Sequence, residues 1–231
     1  MKTALLLCLI SVNIFATQTN LNSNVQAKYK ISTPAKTSYI NYYREGDKVA
    51  YEYPAQGITE IWTKLPKNRV ALTRVFNNYQ RNIEYDTIDL KMEKRNSSWK
   101  AHKNFSFIKN LDYDLAQEET VDGQKVWHYV KRGENIEINM YWDNKRDLLI
   151  SFEVRENTLL RYHYERLSLE EEKVGHIQKV IAYDTTDFSD IGDNESDPFF
   201  RKMINLGFLT HNEANIIDAH GNHLELAHSG H

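Results

Sequence analysis

Cysteine is nearly absent: Cys8 is the single one among 231 residues. No intrachain disulfide can form, and paired-thiol redox chemistry and cysteine metal sites are excluded. Glycine and proline are sparse, at 9 and 4, beside 14 tyrosines, a balance that suits long strands better than a loop-rich chain. Neither sign of charge dominates: 29 basic residues stand against 32 acidic ones. No basic patch stands out, which argues against nucleic acid as a partner. Long hydrophobic runs are missing after the first sixteen residues, so no later segment is long enough to span a bilayer. Signature motifs are missing too. There is no Gly-x-Ser-x-Gly, no His-Glu-x-x-His, no P-loop and no dinucleotide fingerprint. Their absence leaves an enzyme without a positive case, although two carboxylates on separate strands leave no trace in a sequence.

What is present begins at the N-terminus. Met1 and Lys2 give a short positive start, the apolar run Ala4 to Ala16 follows, and Thr17 to Gln26 is polar. That is the layout of a secretory signal cleaved near Ala16. Cleavage there removes Cys8 and leaves a mature chain that must hold itself together by an ordinary core. A secreted chain without disulfides points to a bacterial periplasm.

From Lys36 onward, runs of alternating residues are separated by turn residues. Val49, Tyr51 and Tyr53 share one face, and Val70, Leu72 and Arg74 lie opposite Ala71, Thr73 and Val75. Asp122-Gly123 is a two-residue hairpin signal. It precedes a strand in which Val126, His128 and Val130 alternate with Trp127 and Tyr129. Ile136, Ile138 and Met140 follow on one face, then strands over Leu148–Val154 and Leu159–Leu167 and a last one over His176–Tyr183. Between Asn77 and Ser106 no single period emerges, and Asp86–Lys94 reads equally as helix or strand. Asp184 to Asp197 reads as an acidic loop. Pro198–Leu206 reads as a short helix capped by Asp197, with Pro at its first position.

The candidate sites are few. Asp184, Asp187, Asp190, Asp193, Glu195 and Asp197 supply oxygen ligands at a density that calcium can use, but their spacing is not that of an EF-hand, and solvated turns and caps account for them as well. Five of nine histidines fall in the last 21 residues. Of these, His220 and His223 with Asp218 are close enough to share a transition metal. On the sheet, Trp62, Trp127, Trp142 and Phe152 are candidates to line an apolar groove, with plain core packing as the alternative.

The stretches Tyr42-Tyr43-Arg44-Glu45-Gly46-Asp47-Lys48-Val49-Ala50-Tyr51-Glu52-Tyr53 and Val121-Asp122-Gly123-Gln124-Lys125-Val126-Trp127-His128-Tyr129-Val130, and the hairpins from Ile136 to Leu167, resemble the bacterial lipoprotein-carrier family, LolA-like with LolB and RseB relatives. The resemblance implies a mainly β fold: a strongly curved antiparallel sheet, or half-open barrel, with a few short helices across its concave side. It also implies a non-enzymatic periplasmic protein that shelters an apolar small molecule or the acyl chain of a lipidated protein. Two features differ from that family: no helical stripe follows the signal, and residues 184–231 have no counterpart. The alternative is an envelope interaction or signalling module with a filled core that works through its C-terminal segment; a hydrolase with scattered carboxylates is a third class. The expected organisation is a signal over 1–16, an extension over 17–35, a sheet domain over 36–183, and an acidic loop, short helix and His-rich tail over 184–231. No cofactor is expected.

Overall fold

In a computed structural model, residues 24–121, 123–172, 175–194, 196–206 and 208 are described. They form one open sheet of twelve strands in the order β12-β6-β5-β4-β3-β2-β1-β11-β10-β9-β8-β7. The strands are β1 (Val25–Ser32), β2 (Thr37–Glu45), β3 (Lys48–Tyr53), β4 (Ile58–Leu65), β5 (Arg69–Phe76), β6 (Arg81–Tyr85), β7 (Leu115–Val121), β8 (Gln124–Arg132), β9 (Ile136–Asp143), β10 (Leu148–Glu156), β11 (Leu159–Glu171) and β12 (Asp184–Asp187). Every neighbouring pair is antiparallel except β12 against β6. The mainly β class expected from alternation and turn residues is the class observed.

Hairpins explain most of this order, because a strand joined by a tight turn pairs with its predecessor. Two connections do more. β1 lies in the middle, between β2 and β11, and closes the meander through Val25↔Glu171 and Ser32↔His163. Residues 17–35, read as an extension, therefore contribute a central strand. Val25, Ala27, Tyr29 and Ile31 alternate at period two and are all buried. The second connection leads from β6 to β7, strands near opposite ends of the sheet. It crosses one face as a strap of short helices: α1 (Thr87–Met92), α2 (Trp99–His102) and α3 (Ser106–Lys109). The stretch Asn77–Ser106, which showed no single period, holds a short turn, the whole of β6 and then most of this strap. Asp86 opens α1 with a capping box, its carboxylate accepting from Ile88 N–H and Asp89 N–H at 2.6 and 2.8 Å.

Both sheet faces are buried where the core is deepest. The strap face carries the main cluster, which includes Tyr29, Tyr42, Trp62, Leu72, Phe105, Met140 and Trp142. The back face carries a smaller one of Tyr43, Ala50, Ile61, Val75, Ile177 and Val180. The last two belong to α4 (His176–Ile181). This corrects the expectation of a strand over His176–Tyr183. Spacing by three sets Ile177 and Val180 on one helical side, while Glu45 Oε1 accepts the N–H groups of Gly175, His176 and Ile177 at 3.1, 3.1 and 3.3 Å. A partner 130 residues away in sequence thus caps the helix.

Two further corrections concern register and the acidic segment. Tyr129 pairs with Met140 and His128 with Tyr141. Trp127 and Tyr129 therefore share the strap face with Ile138 and Met140, and Val126, His128 and Val130 lie on the back face. The two alternating sets do not form one buried face. The acidic loop begins as β12, parallel to β6, with Asp184 paired to Arg81 at 3.2 Å. The helix near the C-terminus is α5 (Pro198–Asn205), its N-terminus capped by Asp197, which accepts from Phe199 N–H at 2.8 Å. Its Phe199, Phe200 and Met203 join the main core.

Candidate functional site

The strap fills most of the face it crosses. At its start, Glu60 of β4 receives Arg74 Nη2 at 2.7 Å and Arg95 Nη2 at 3.0 Å. Burial alone would raise the Glu60 carboxyl, but the two guanidiniums outweigh it and hold it at about 2. Arg95 also lies 5.2 Å over the Trp62 ring, and His102 stacks on that ring at 3.4 Å and 8°. Burial lowers the His102 imidazole to about 4, so this ring is neutral at ordinary pH.

In the middle of the strap, Phe105 is fully buried against the rings of Tyr29, Tyr42 and Tyr51 at 4.7, 5.4 and 5.2 Å. Asn104 and Phe105 both have left-handed backbones, φ 51° and 57°. Such a conformation is costly for a bulky residue and persists only where surroundings enforce it. Here Tyr51 Oη accepts Phe105 N–H at 2.9 Å and donates to His102 O at 2.9 Å, and Tyr42 Oη donates to Asn104 Oδ1 at 2.5 Å. At the far end Asp147, on the β9–β10 turn, gathers Lys103 and Lys109 at 2.8 Å each and Asn104 Nδ2 at 2.9 Å. Burial opposes its charge. The bonds from both lysines prevail and hold its carboxyl well below the ordinary range. Lys109 also sits 4.5 Å over the Trp142 ring.

Beyond α3 the same face is less covered. Tyr113, Trp127 and Tyr129 are only half-buried, over a floor of Met140 and Trp142. Tyr113 lies 5.4 Å from Tyr129, and Trp127 lies 6.2 Å from Tyr129. Tyr113 Oη donates to Ile108 O at 2.8 Å, and burial raises its phenol well above the ordinary value. The result is an aromatic shelf flanked by the outermost strand, β7. It offers flat apolar surface and presents no nucleophile–base pair.

All four aromatic residues singled out in the sequence lie on the strap face and belong to or pack on the main cluster. Trp127 and Trp142 are direct cross-strand partners. Phe152 pairs with Met140 one strand over and is buried. Trp62 lies in the other half of the sheet under His102. Trp127 alone of the four is half-buried. His220, His223 and Asp218 lie outside the described residues. Among the described residues, no group of three His, Cys, Asp or Glu side chains is placed to hold a metal. The Glu60–Arg74–Arg95 cluster and the Asp147 knot left no trace in the sequence, since Glu60 meets Arg74 from 14 residues away and Arg95 from 35, and Lys103, Asn104 and Lys109 lie 38 residues or more from Asp147. The positive φ of Asn104 is the one hint a sequence could have carried, because Asn tolerates it.

The described architecture is that of an open antiparallel sheet crossed by a helical strap. No family model matches this chain, and no curated protein matches it. Solved structures similar to it include PNGF-II (14% identity, 71% of this chain and 31% of that one, TM-score 0.43). Others are MucB in the MucA/MucB complex of Pseudomonas aeruginosa (12%, 71% and 56%, TM-score 0.40) and a DUF1329 family protein from Desulfovibrio piger (12%, 67% and 88%, TM-score 0.32). The chain thus spans about a third of PNGF-II. All of these likenesses are weak, at low identity and with TM-scores below 0.5.

Proposed function

We propose that the protein is a non-enzymatic binding protein of the bacterial periplasm that receives an apolar chain on the shelf of Trp127, Tyr129 and Tyr113. The observation that supports this reading is the contrast along one face. Trp62 and Trp142 are closed over, while Trp127 and Tyr129 remain half-open on the same plane. Half-exposed aromatic surface gains free energy when an apolar chain covers it, at about 25 cal/mol per Å² removed from water. Trp142 and Phe152 serve as floor, and Trp62 lies deeper, beneath the strap. Export rests on the N-terminal signal pattern. Among the described residues no helix is long and apolar enough to cross a membrane.

The test is a titration with palmitate, followed by tryptophan emission and by the thermal midpoint. Palmitate is expected to shift both, and Trp127→Ala or Tyr129→Ala to weaken binding about tenfold, equivalent to about 1.4 kcal/mol. Trp62→Phe, beneath the strap, serves as the unaffected control. If saturating palmitate leaves emission and midpoint unchanged, the shelf is merely a core margin. The second reading then takes over: an envelope interaction module with a filled core that works through its C-terminal segment. What favours that alternative is the filling of the strap face by Leu90, Phe105 and Ile108.

A further inference from the structure

An open sheet has two edges, and this one treats them differently. The β6 end is finished by β12, four residues long, whose Asp184 is tied to Arg81. The other end is β7, seven residues long, six of them exposed. Among the described residues β7 pairs with β8 alone. Natural edges are commonly blunted by Pro, by Lys and other charged side chains or by a bulge, because an unprotected edge is a template for another strand. β7 reads Leu-Ala-Gln-Glu-Glu-Thr-Val and contains neither Pro nor Lys. Two acidic residues are the charges it carries, and they repel a like-charged strand while leaving a basic one free to pair. Its register with β8 runs unbroken from Leu115↔Val130 to Val121↔Gln124.

The register also identifies the free groups. Val121 and Gln124 pair across the hairpin with two residues between them in sequence, the spacing of a hydrogen-bonded pair. Bonded and non-bonded pairs then alternate down the ladder. Leu115, Gln117, Glu119 and Val121 point their backbone groups at β8, and Ala116, Glu118 and Thr120 point theirs outward. The side chains carry a second message. Glu118, half-exposed on the strap face, and Glu119 on the back face put carboxylates at the centre of the edge, with exposed Leu115 and Val121 near its ends at 43% and 41%. Lys125 answers Glu118 at 2.7 Å from a side chain that is 77% exposed, and His128 answers Glu119 at 2.8 Å. In full overlap, a second copy of β7 fits poorly. Antiparallel self-pairing centred on Glu118 sets that residue against itself, and centring one residue on does the same for Glu119; directly opposed like charges are unfavourable.

We propose that β7 is a docking edge for an extended segment of another polypeptide, basic at its centre and apolar at its ends, which adds as a thirteenth strand through Ala116, Glu118 and Thr120. This surface is separate from the aromatic shelf, and the inference stands whether or not an apolar chain occupies that shelf.

The experiment uses the full chain and a fluorescently labelled, capped nine-residue peptide with Lys-Arg-Lys at its centre and Val-Thr-Val on either side. Binding is read by anisotropy, and self-association by sedimentation velocity. Saturable binding is expected, weakened at least tenfold when the peptide's centre is changed to Glu-Gln-Glu. Ala116→Pro and Thr120→Pro each remove an outward N–H without touching the β8 ladder, and each should abolish binding while leaving the thermal midpoint near that of the parent. Should either proline variant unfold, Glu118→Lys with Glu119→Lys, which alters no backbone group, must still weaken binding tenfold. Absence of binding by the parent protein overturns the proposal. So does binding that survives the proline or charge-reversal variants, and so does dimerisation abolished by the same prolines, which would make a second copy the occupant.

Discussion

Changing Glu60 to Gln tests how the strap is fastened. The Glu60, Arg74 and Arg95 side chains are 14%, 13% and 17% exposed, so their interaction is little screened by solvent. The Glu60 carboxyl is held at about 2 in the folded chain against an ordinary 4.5. A carboxyl whose pKa is depressed by folding adds stability above its unfolded value and loses it as the pH falls through the folded one. Here that amounts to about 3 kcal/mol at neutral pH, lost between about pH 5 and pH 2. Gln keeps the shape but leaves two guanidiniums facing a neutral amide. Breaking one partner out of a buried ionic group costs about 3–5 kcal/mol. Urea unfolding of parent and variant, followed by tryptophan fluorescence from pH 8 to pH 3, separates charge from shape. The stability gap at neutral pH should narrow by about 2 kcal/mol on reaching pH 3. A gap of constant size across that range would refute the electrostatic account, and no gap would refute the contact.

Two other outcomes are expected. Asp147→Asn removes the charge that gathers Lys103 and Lys109. It should lower stability by about 2 kcal/mol and raise hydrogen exchange over residues 103–110 while β10 and β11 stay protected; unchanged exchange there would separate the knot from the strap. Truncation after Thr210 should abolish any tight binding of copper, nickel or zinc and leave the far-ultraviolet circular dichroism of the sheet intact; a truncated chain that binds as tightly would move the metal site away from His220, His223 and Asp218.

Alternation and turn residues made the hairpins legible, since each depends on contacts a few residues apart. Val49-Tyr51-Tyr53 and Val70-Leu72-Arg74 fall on the strap face with Trp62, and Asp197 caps α5 as its position suggested. What escaped depends on distant chain. His176–Ile181 is helical because Glu45 caps it and the back face of β2 to β5 receives Ile177 and Val180; those same contacts bury both sides of β3, whose central residues Val49, Ala50 and Tyr51 are consecutive and buried, so period two fails there. β1 was hidden in a polar leader, although its Val25, Ala27, Tyr29 and Ile31 alternate. At the shelf, the residue type of Trp127 was legible but not its half-open setting. That setting depends on where the strap ends.

The placement of shelf and free edge at one end of the sheet follows from the strap's route. Chain leaving β6 crosses the face, is fixed by Glu60 at the start, by Phe105 in the middle and by Asp147 near the end, and delivers β7 last. Strands passed on the way gain cover from the strap on one face, and β2 to β5 gain α4 on the other. The β7–β8 hairpin lies past the last of these fasteners and, among the described residues, has a neighbour on one side only. Local opening is easiest where buried apolar contacts are fewest and backbone bonds are most exposed. This hairpin should therefore exchange its amides faster than β1 to β4. The same route leaves the proposed binding surface here. Residues such as Trp127 and Tyr129 can stay half-open only where the fold does not depend on closing them, and the fully buried Tyr29, Tyr42 and Phe105 carry that burden elsewhere.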